Sequence, residues 1–217
     1  KPRRIKQSKR SLDFFIKICR VILRIDGIKK RFKHSVSEFF YCGELYMDIE
    51  SGKVKRVLFF DSGVGGLSVY RDVKAENAQM EGVYLFDHEC FPYGTKSEAF
   101  LEQRVTSLLT IAVEKFKVCA VVIACNTAST LVLPAVRKAL SVPVVGVVPA
   151  IKPAARMSKK KIIGLMATPG TVQRQYTRQL ISDYASDCRI IGIPSPILAT
   201  IAENRLTTGE VDEKGIE

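Results

Sequence analysis

Residues 118–124 read Val-Cys-Ala-Val-Val-Ile-Ala, an apolar run with no polar face, and this run constrains the fold more than any other feature. A strand with one face in water alternates apolar and polar residues, whereas a strand apolar throughout is buried on both faces. Burial on both faces requires a sheet with helices packed against each side. The flanking sequence supplies the parts. Residues 57–60 and 82–86 are short runs of β-formers, and 142–148 is a second buried strand bracketed by Pro143 and Pro149. Residues 161–166 and 188–193 are further strand candidates. Residues 67–74, 96–116, 128–140 and 172–182 read as helices, with apolar positions at 3.6 spacing over 96–116. Strands alternating with helices predict an α/β chain built on a parallel sheet.

Folds of this kind bind ligands at the carboxyl ends of their strands. Asp61, Cys125 and Thr168 each sit at such an end, before a turn and a helix. The lysines and proline between 150 and 161 mark a boundary, so the chain divides into a leader at 1–54, a first α/β domain at 55–150 and a second, incomplete α/β domain at 151–217.

The formal charge of +12 belongs mostly to the leader. Residues 1–56 hold 16 Lys/Arg against 6 Asp/Glu, and residues 57–217 hold 18 against 16. The globular part is therefore nearly neutral, and a nucleic-acid function argued from overall basicity fails. Residues 1–10 form a basic run expected to be disordered, and residues 14–25 place Lys17, Arg20 and Arg24 on one helical face and Phe14, Ile18, Val21 and Ile25 on another. That segment reads either as a membrane-surface helix or as an extension packed on the body. No apolar run approaches the roughly 18–20 residues that span a bilayer. The six cysteines form no CxxC pair and only two histidines accompany them, so neither a structural metal site nor a disulfide framework is expected. A reducing cytoplasm suits such a chain. The first residue is Lys rather than Met, which points to a fragment or a processed chain.

Two segments could carry chemistry. Asp61-Ser62-Gly63-Val64-Gly65-Gly66 follows a strand, as a phosphate cradle does, yet its glycines depart from GxGxxG and no Gly-Lys-Ser/Thr ending follows. The alternative is a tight turn that needs glycine for positive φ. Cys125 lies where a buried strand meets a helix amino terminus, where free N–H groups and the helix dipole favour a thiolate over a thiol of ordinary pKa about 8.5. The alternative is a small buried hydrophobe, the reading that also fits Cys119. Asn126 and Thr127 can hydrogen-bond a carboxylate or an ammonium group. Cys90, His34 and His88 show no catalytic pattern, and the lysines at 159–161 read as a solvated loop.

Taken in series, Phe60-Asp61-Ser62-Gly63-Val64-Gly65-Gly66-Leu67, Phe91-Pro92-Tyr93-Gly94 and Ala124-Cys125-Asn126-Thr127-Ala128-Ser129 resemble the glutamate racemase family in order and spacing. Val145-Gly146-Val147-Val148-Pro149-Ala150 and Ala167-Thr168-Pro169-Gly170-Thr171 continue the resemblance, which runs from residue 55 to residue 215. It implies a two-domain parallel-sheet racemase fold whose second domain is incomplete here. It implies cofactor-independent interconversion of L- and D-glutamate by two cysteines, one on each face of the α-carbon, supplying D-glutamate for peptidoglycan. Inversion needs a base on one face and an acid on the other. By the resemblance, Cys125 is the thiol acting on D-glutamate, and Asp61 and Ser62 contact the substrate amino group and tune that base. Tyr93 and Gly94 form the loop that holds the substrate, and Asn126 and Thr127 contact its carboxylate and ammonium groups. Thr168 and Thr171 belong to a second-domain turn that anchors a carboxylate. No cofactor or metal is implied; UDP-N-acetylmuramoyl-alanine is an activator of some members, and a homodimer is an open assembly.

One departure matters. The family's second cysteine lies in a Gly-Cys-Thr-His motif that this sequence does not contain, and Asp187-Cys188-Arg189 does not replace it. The chain is therefore expected not to racemise glutamate by itself, and to expose apolar edges. The alternative function is a non-catalytic remnant that binds a partner or nucleic acid through its basic leader. A racemase of the same superfamily acting on aspartate is a further alternative.

Overall fold

The structure, a computed structural model, describes residues 55–211. The expectations for the basic leader, including the amphipathic segment at 14–25, lie outside the described residues. Among the described residues, six strands form two parallel sheets. The first sheet contains β1 (Arg56–Asp61), β2 (Glu81–Phe86), β3 (Ala120–Ile123) and β4 (Val144–Gly146), in the order β2-β1-β3-β4. The second pairs β5 (Ile162–Ala167) with β6 (Arg189–Pro194).

The apolar runs at 57–60 and 118–124 explain the first sheet. β1 pairs with β2 on one side and β3 on the other, so both of its edges are hydrogen-bonded, and each of its faces packs into a separate core. Its side chains alternate between two cores. Val57 and Phe59 join Val122, Val145 and α1 (Leu67–Glu76) on one face. Leu58 and Phe60 join Ile123, α2 (Glu98–Phe116) and α3 (Asn126–Ala139) on the other. All four of these β1 side chains are fully buried. The helix ends follow local chemistry. Ser97 caps α2 by accepting from the Phe100 N–H at 3.4 Å, and Lys117 ends it in the left-handed region at φ 51°.

The sheet order makes the strand sequence reverse between β1 and β3. The chain leaves β1 toward β2 on one side and returns to β3 on the other. The two strand ends therefore open a crevice at the switch point, where parallel α/β sheets take their ligands. Asp61 and Cys125 flank that crevice.

Beyond β4, the helices are α4 (Ile151–Met157), α5 (Pro169–Gln173), α6 (Gln175–Tyr184) and α7 (Leu198–Thr208). A small third core of Ile151, Ala155, Ile163 and Ala185 packs α4 and α6 on one face of β5–β6. Parallel pairing sets Ile191 beside Gly164 and Ile193 beside Met166, so the opposite face presents Ile162, Met166, Ile191 and Ile193 at 49%, 58%, 44% and 41% exposure. The sequence predicts one helix over 172–182. Two form instead, because Arg174 adopts an extended backbone (φ −65°, ψ 147°) between α5 and α6. No helix among the described residues is long and apolar enough to cross a membrane.

Candidate active site

Cys125 occupies the N-cap position of α3. Its backbone N–H donates toward the Phe60 carbonyl at 3.4 Å, next to the stronger Ala124 N–H bond at 2.7 Å, so the strand pairing of β1 and β3 positions it. The Ala128 N–H donates to its sulfur at 3.4 Å, and the Ser62 hydroxyl lies 3.5 Å from the same atom. Ser62 and Asp61 come from the end of β1, so two distant segments of sequence converge on one thiol.

Asp61 is buried at the turn that follows β1. Its carboxylate accepts from the Ser62 N–H at 2.6 Å and from the Gly66 N–H at 2.5 Å. Burial raises its pKa, while those backbone donors pull it back down. The glycine turn does not use positive φ; among the described glycines only Gly209 has it. The turn needs glycine for close approach instead. A Cβ on Gly66 would meet Ala124 and the Tyr84 hydroxyl at 2.8 Å and Asp61 at 2.9 Å, and one on Gly63 would meet the Glu203 carboxylate at 2.5 Å.

The expectation of a stabilised thiolate is corrected by the surroundings of Cys125. Burial pushes the thiol up to about 12, and the nearby Asp61 charge adds to the rise. The Ser62 and Ala128 donors favour the thiolate but do not outweigh those two effects. Helix position alone assumes a solvated thiol, whereas this one is 6% exposed.

Tyr93 is buried in the loop after β2, with its ring 6.4 Å from that of Phe60. Its hydroxyl donates to Asp87 Oδ2 at 2.8 Å, so the side chain builds the loop and leaves the backbone at Gly94 to face the second sheet. Asp87 is held on the other side by the Arg104 guanidinium, at 2.7 and 2.8 Å. The arginine holds the Asp87 carboxyl below its ordinary range. Gly94 lies against Thr168, which a Cβ there would meet at 3.1 Å. Thr168 Oγ1 is 3.4 Å from Thr127 Oγ1 and 2.9 Å from Thr171 Oγ1. Asn126 opens α3 and is half-buried. The structure thus gathers Asp61, Ser62 and Cys125 into direct contact, and sets Thr127, Gly94, Thr168 and Thr171 along the seam between the two sheets.

Residues 63–212 match the family model described as Asp/Glu/Hydantoin racemase. The chain belongs to that racemase family. A glutamate racemase of Photorhabdus laumondii is 47% identical over 169 residues, which cover 78% of this chain and 59% of the relative. One from Klebsiella pneumoniae is 51% identical over 150 residues, 69% of this chain and 53% of the relative. The crystal structure of Escherichia coli glutamate racemase with L-glutamate and the activator UDP-MurNAc-Ala superposes with a TM-score of 0.71 at 46% identity, covering 76% of this chain and 62% of that one. Glutamate racemase from Aquifex pyrophilus gives a TM-score of 0.61 at 32% identity, covering 73% of this chain and 62% of that one. The chain therefore has the α/β parallel-sheet racemase fold, and it spans 53% to 59% of the length of these curated relatives.

Sequence reasoning missed three residues that hold the segments of this candidate site in place. Glu203, on α7, accepts from the Val64 N–H at 2.8 and 3.0 Å and is 7% exposed. Asp87 organises the Tyr93 loop, and Arg174 bridges the two sheets. Glu203 and Arg174 carry no local signal, because each acts on a segment far away in sequence, Glu203 lying 139 residues from its partner; Asp87 acts on Tyr93 six residues along and is fixed by Arg104, seventeen residues away.

Proposed function

We propose that this chain carries the half of a glutamate racemase that works on one face of the substrate, with Cys125 as the thiol that removes and returns the α-proton of D-glutamate. The observation behind this reading is the convergence of Asp61, Ser62 and Cys125 at the switch point of the sheet, in a chain 47% and 51% identical to glutamate racemases. A buried thiol is a poor base by itself. The substrate supplies the missing charge: an ammonium group beside Asp61 offsets the carboxylate that disfavours the thiolate. Base formation is thereby linked to occupancy. Asn126, Thr127 and the Gly94 backbone hold the carboxylates, with Thr168 and Thr171 closing from the second sheet.

Residues 55–150 act in this reading as one domain and the residues from 151 onward as part of a second, which supplies the opposite face. Within the described part of that second unit, the Cys188 thiol donates to Asp187 Oδ1 at 3.4 Å. In this reading Cys125 exchanges the α-proton on its own face of the carbon, and inversion needs a second thiol on the opposite face. The same reading includes cytoplasmic residence, supply of D-glutamate for peptidoglycan, UDP-MurNAc-Ala as the class of activator, and a homodimer as the assembly to test.

Protection from alkylation tests the substrate assignment. D-glutamate is expected to slow iodoacetamide labelling of Cys125 by about ten-fold at saturation, as occupancy of a site requires, while D-aspartate has little effect. Equal protection by both amino acids would point to a different substrate. No protection by either would contradict the reading.

A further inference from the structure

We propose that Arg174 is a positioning residue that latches the second sheet onto the first turn of α3 and so controls access to Cys125. This deepens the proposed function and rests on Cys125 being the reactive thiol.

Arg174 is 7% exposed, unusual for an arginine, and it interrupts what the sequence otherwise reads as one helix. Its guanidinium makes three separate bonds to the first sheet's helices. Nη1 donates to the Thr127 carbonyl at 3.0 Å and to Thr130 Oγ1 at 3.1 Å, both in the opening turns of α3. Nε donates to Glu98 Oε1 at 3.1 Å, at the start of α2. The backbone beneath is fixed as well: the Arg174 N–H donates to the Gly170 carbonyl at 3.0 Å, and a Cβ on Gly170 would meet the guanidinium at 3.1 Å. The segment bearing Arg174 is the one that brings Thr168 to Thr127 and Gly94.

These contacts converge on one lever. Thr127 is two residues beyond Cys125, and the Thr127 backbone is held from the second sheet by Arg174 while its side chain meets Thr168. Moving the second sheet away from the first must break the Arg174 fork before the crevice over Cys125 opens. A lysine keeps the charge but has no planar fork to reach Thr127, Thr130 and Glu98 together.

The test compares iodoacetamide labelling of the full chain with Arg174→Ala and Arg174→Lys, scored at each cysteine by peptide mass spectrometry. Cys125 labelling is expected to rise about ten-fold in both variants, as for a locally opened segment, while labelling of Cys119, which is packed against the first core, stays constant. Unchanged Cys125 labelling in both variants would overturn the latch. So would a parallel rise at Cys119, which would show that Arg174 only supports the fold. Loss of substrate protection in the unaltered chain would refute the glutamate reading without touching these rates.

Discussion

Replacing Cys125 with alanine is expected to lower deuterium incorporation at the α-carbon of D-glutamate by about 10²–10⁴-fold, the range that a positioned general base contributes. The thiol is the one acid/base group that the β1 and β3 ends place at the mouth of the sheet beside a carboxylate suited to an ammonium partner. Asp61 lies close by, with its two oxygens anchored by the Ser62 and Gly66 N–H groups and acceptor capacity left for a substrate ammonium, so it orients and tunes the thiol. The pH dependence has a definite sign. With the thiol pushed up to about 12, the thiolate fraction in the empty site grows about ten-fold per pH unit through neutrality. Exchange measured below saturating D-glutamate should therefore climb with pH up to the point where the substrate ammonium itself deprotonates. An exchange rate unchanged in Cys125→Ala, or falling as pH rises from neutrality, would remove Cys125 from the chemistry.

Phe60→Ala is expected to destabilise the first sheet by about 3–5 kcal/mol, the cost of truncating a fully buried aromatic side chain. Phe60 fills the core between α2, α3 and the Tyr93 ring, and its carbonyl receives the Ala124 and Cys125 N–H groups. The substitution thus leaves a cavity beneath the residues that hold the thiol. Urea unfolding followed by circular dichroism checks it, with Leu206→Ala as the control. Leu206 is 64% exposed on α7, so its loss should change stability by no more than about 0.5 kcal/mol. A Phe60→Ala variant as stable as that control would show that the core is not built around this strand.

The parts of the fold legible in the sequence were those set by local pattern. The apolar run at 118–124 announced a doubly covered strand, and β3 at Ala120–Ile123 is buried at every position. The turn after β1 and the helix start after β3 were readable because both follow strands directly. What stayed illegible depends on distance or on burial. Positive φ was a reasonable local reading of the glycine turn, yet the tight contacts come from Glu203, Tyr84 and Ala124. The break at Arg174 has no glycine or proline to mark it; it follows from a guanidinium drawn to Thr127, Thr130 and Glu98. The thiolate expectation for Cys125 failed because helix position is visible in sequence and desolvation is not. Ile162, Met166, Ile191 and Ile193 project from one face of β5–β6, a sheet face and not the exposed edge expected from the sequence.

The central claim is a site that works on one face of glutamate, and incubation with D-glutamate in D₂O tests it most directly. Proton NMR reports loss of the α-proton, and chiral chromatography of the same sample reports configuration. Loss of the α-proton with the product remaining D-glutamate is the predicted result. Accumulation of L-glutamate, abolished in Cys125→Ala, would show that this chain delivers a proton to both faces and would contradict the account.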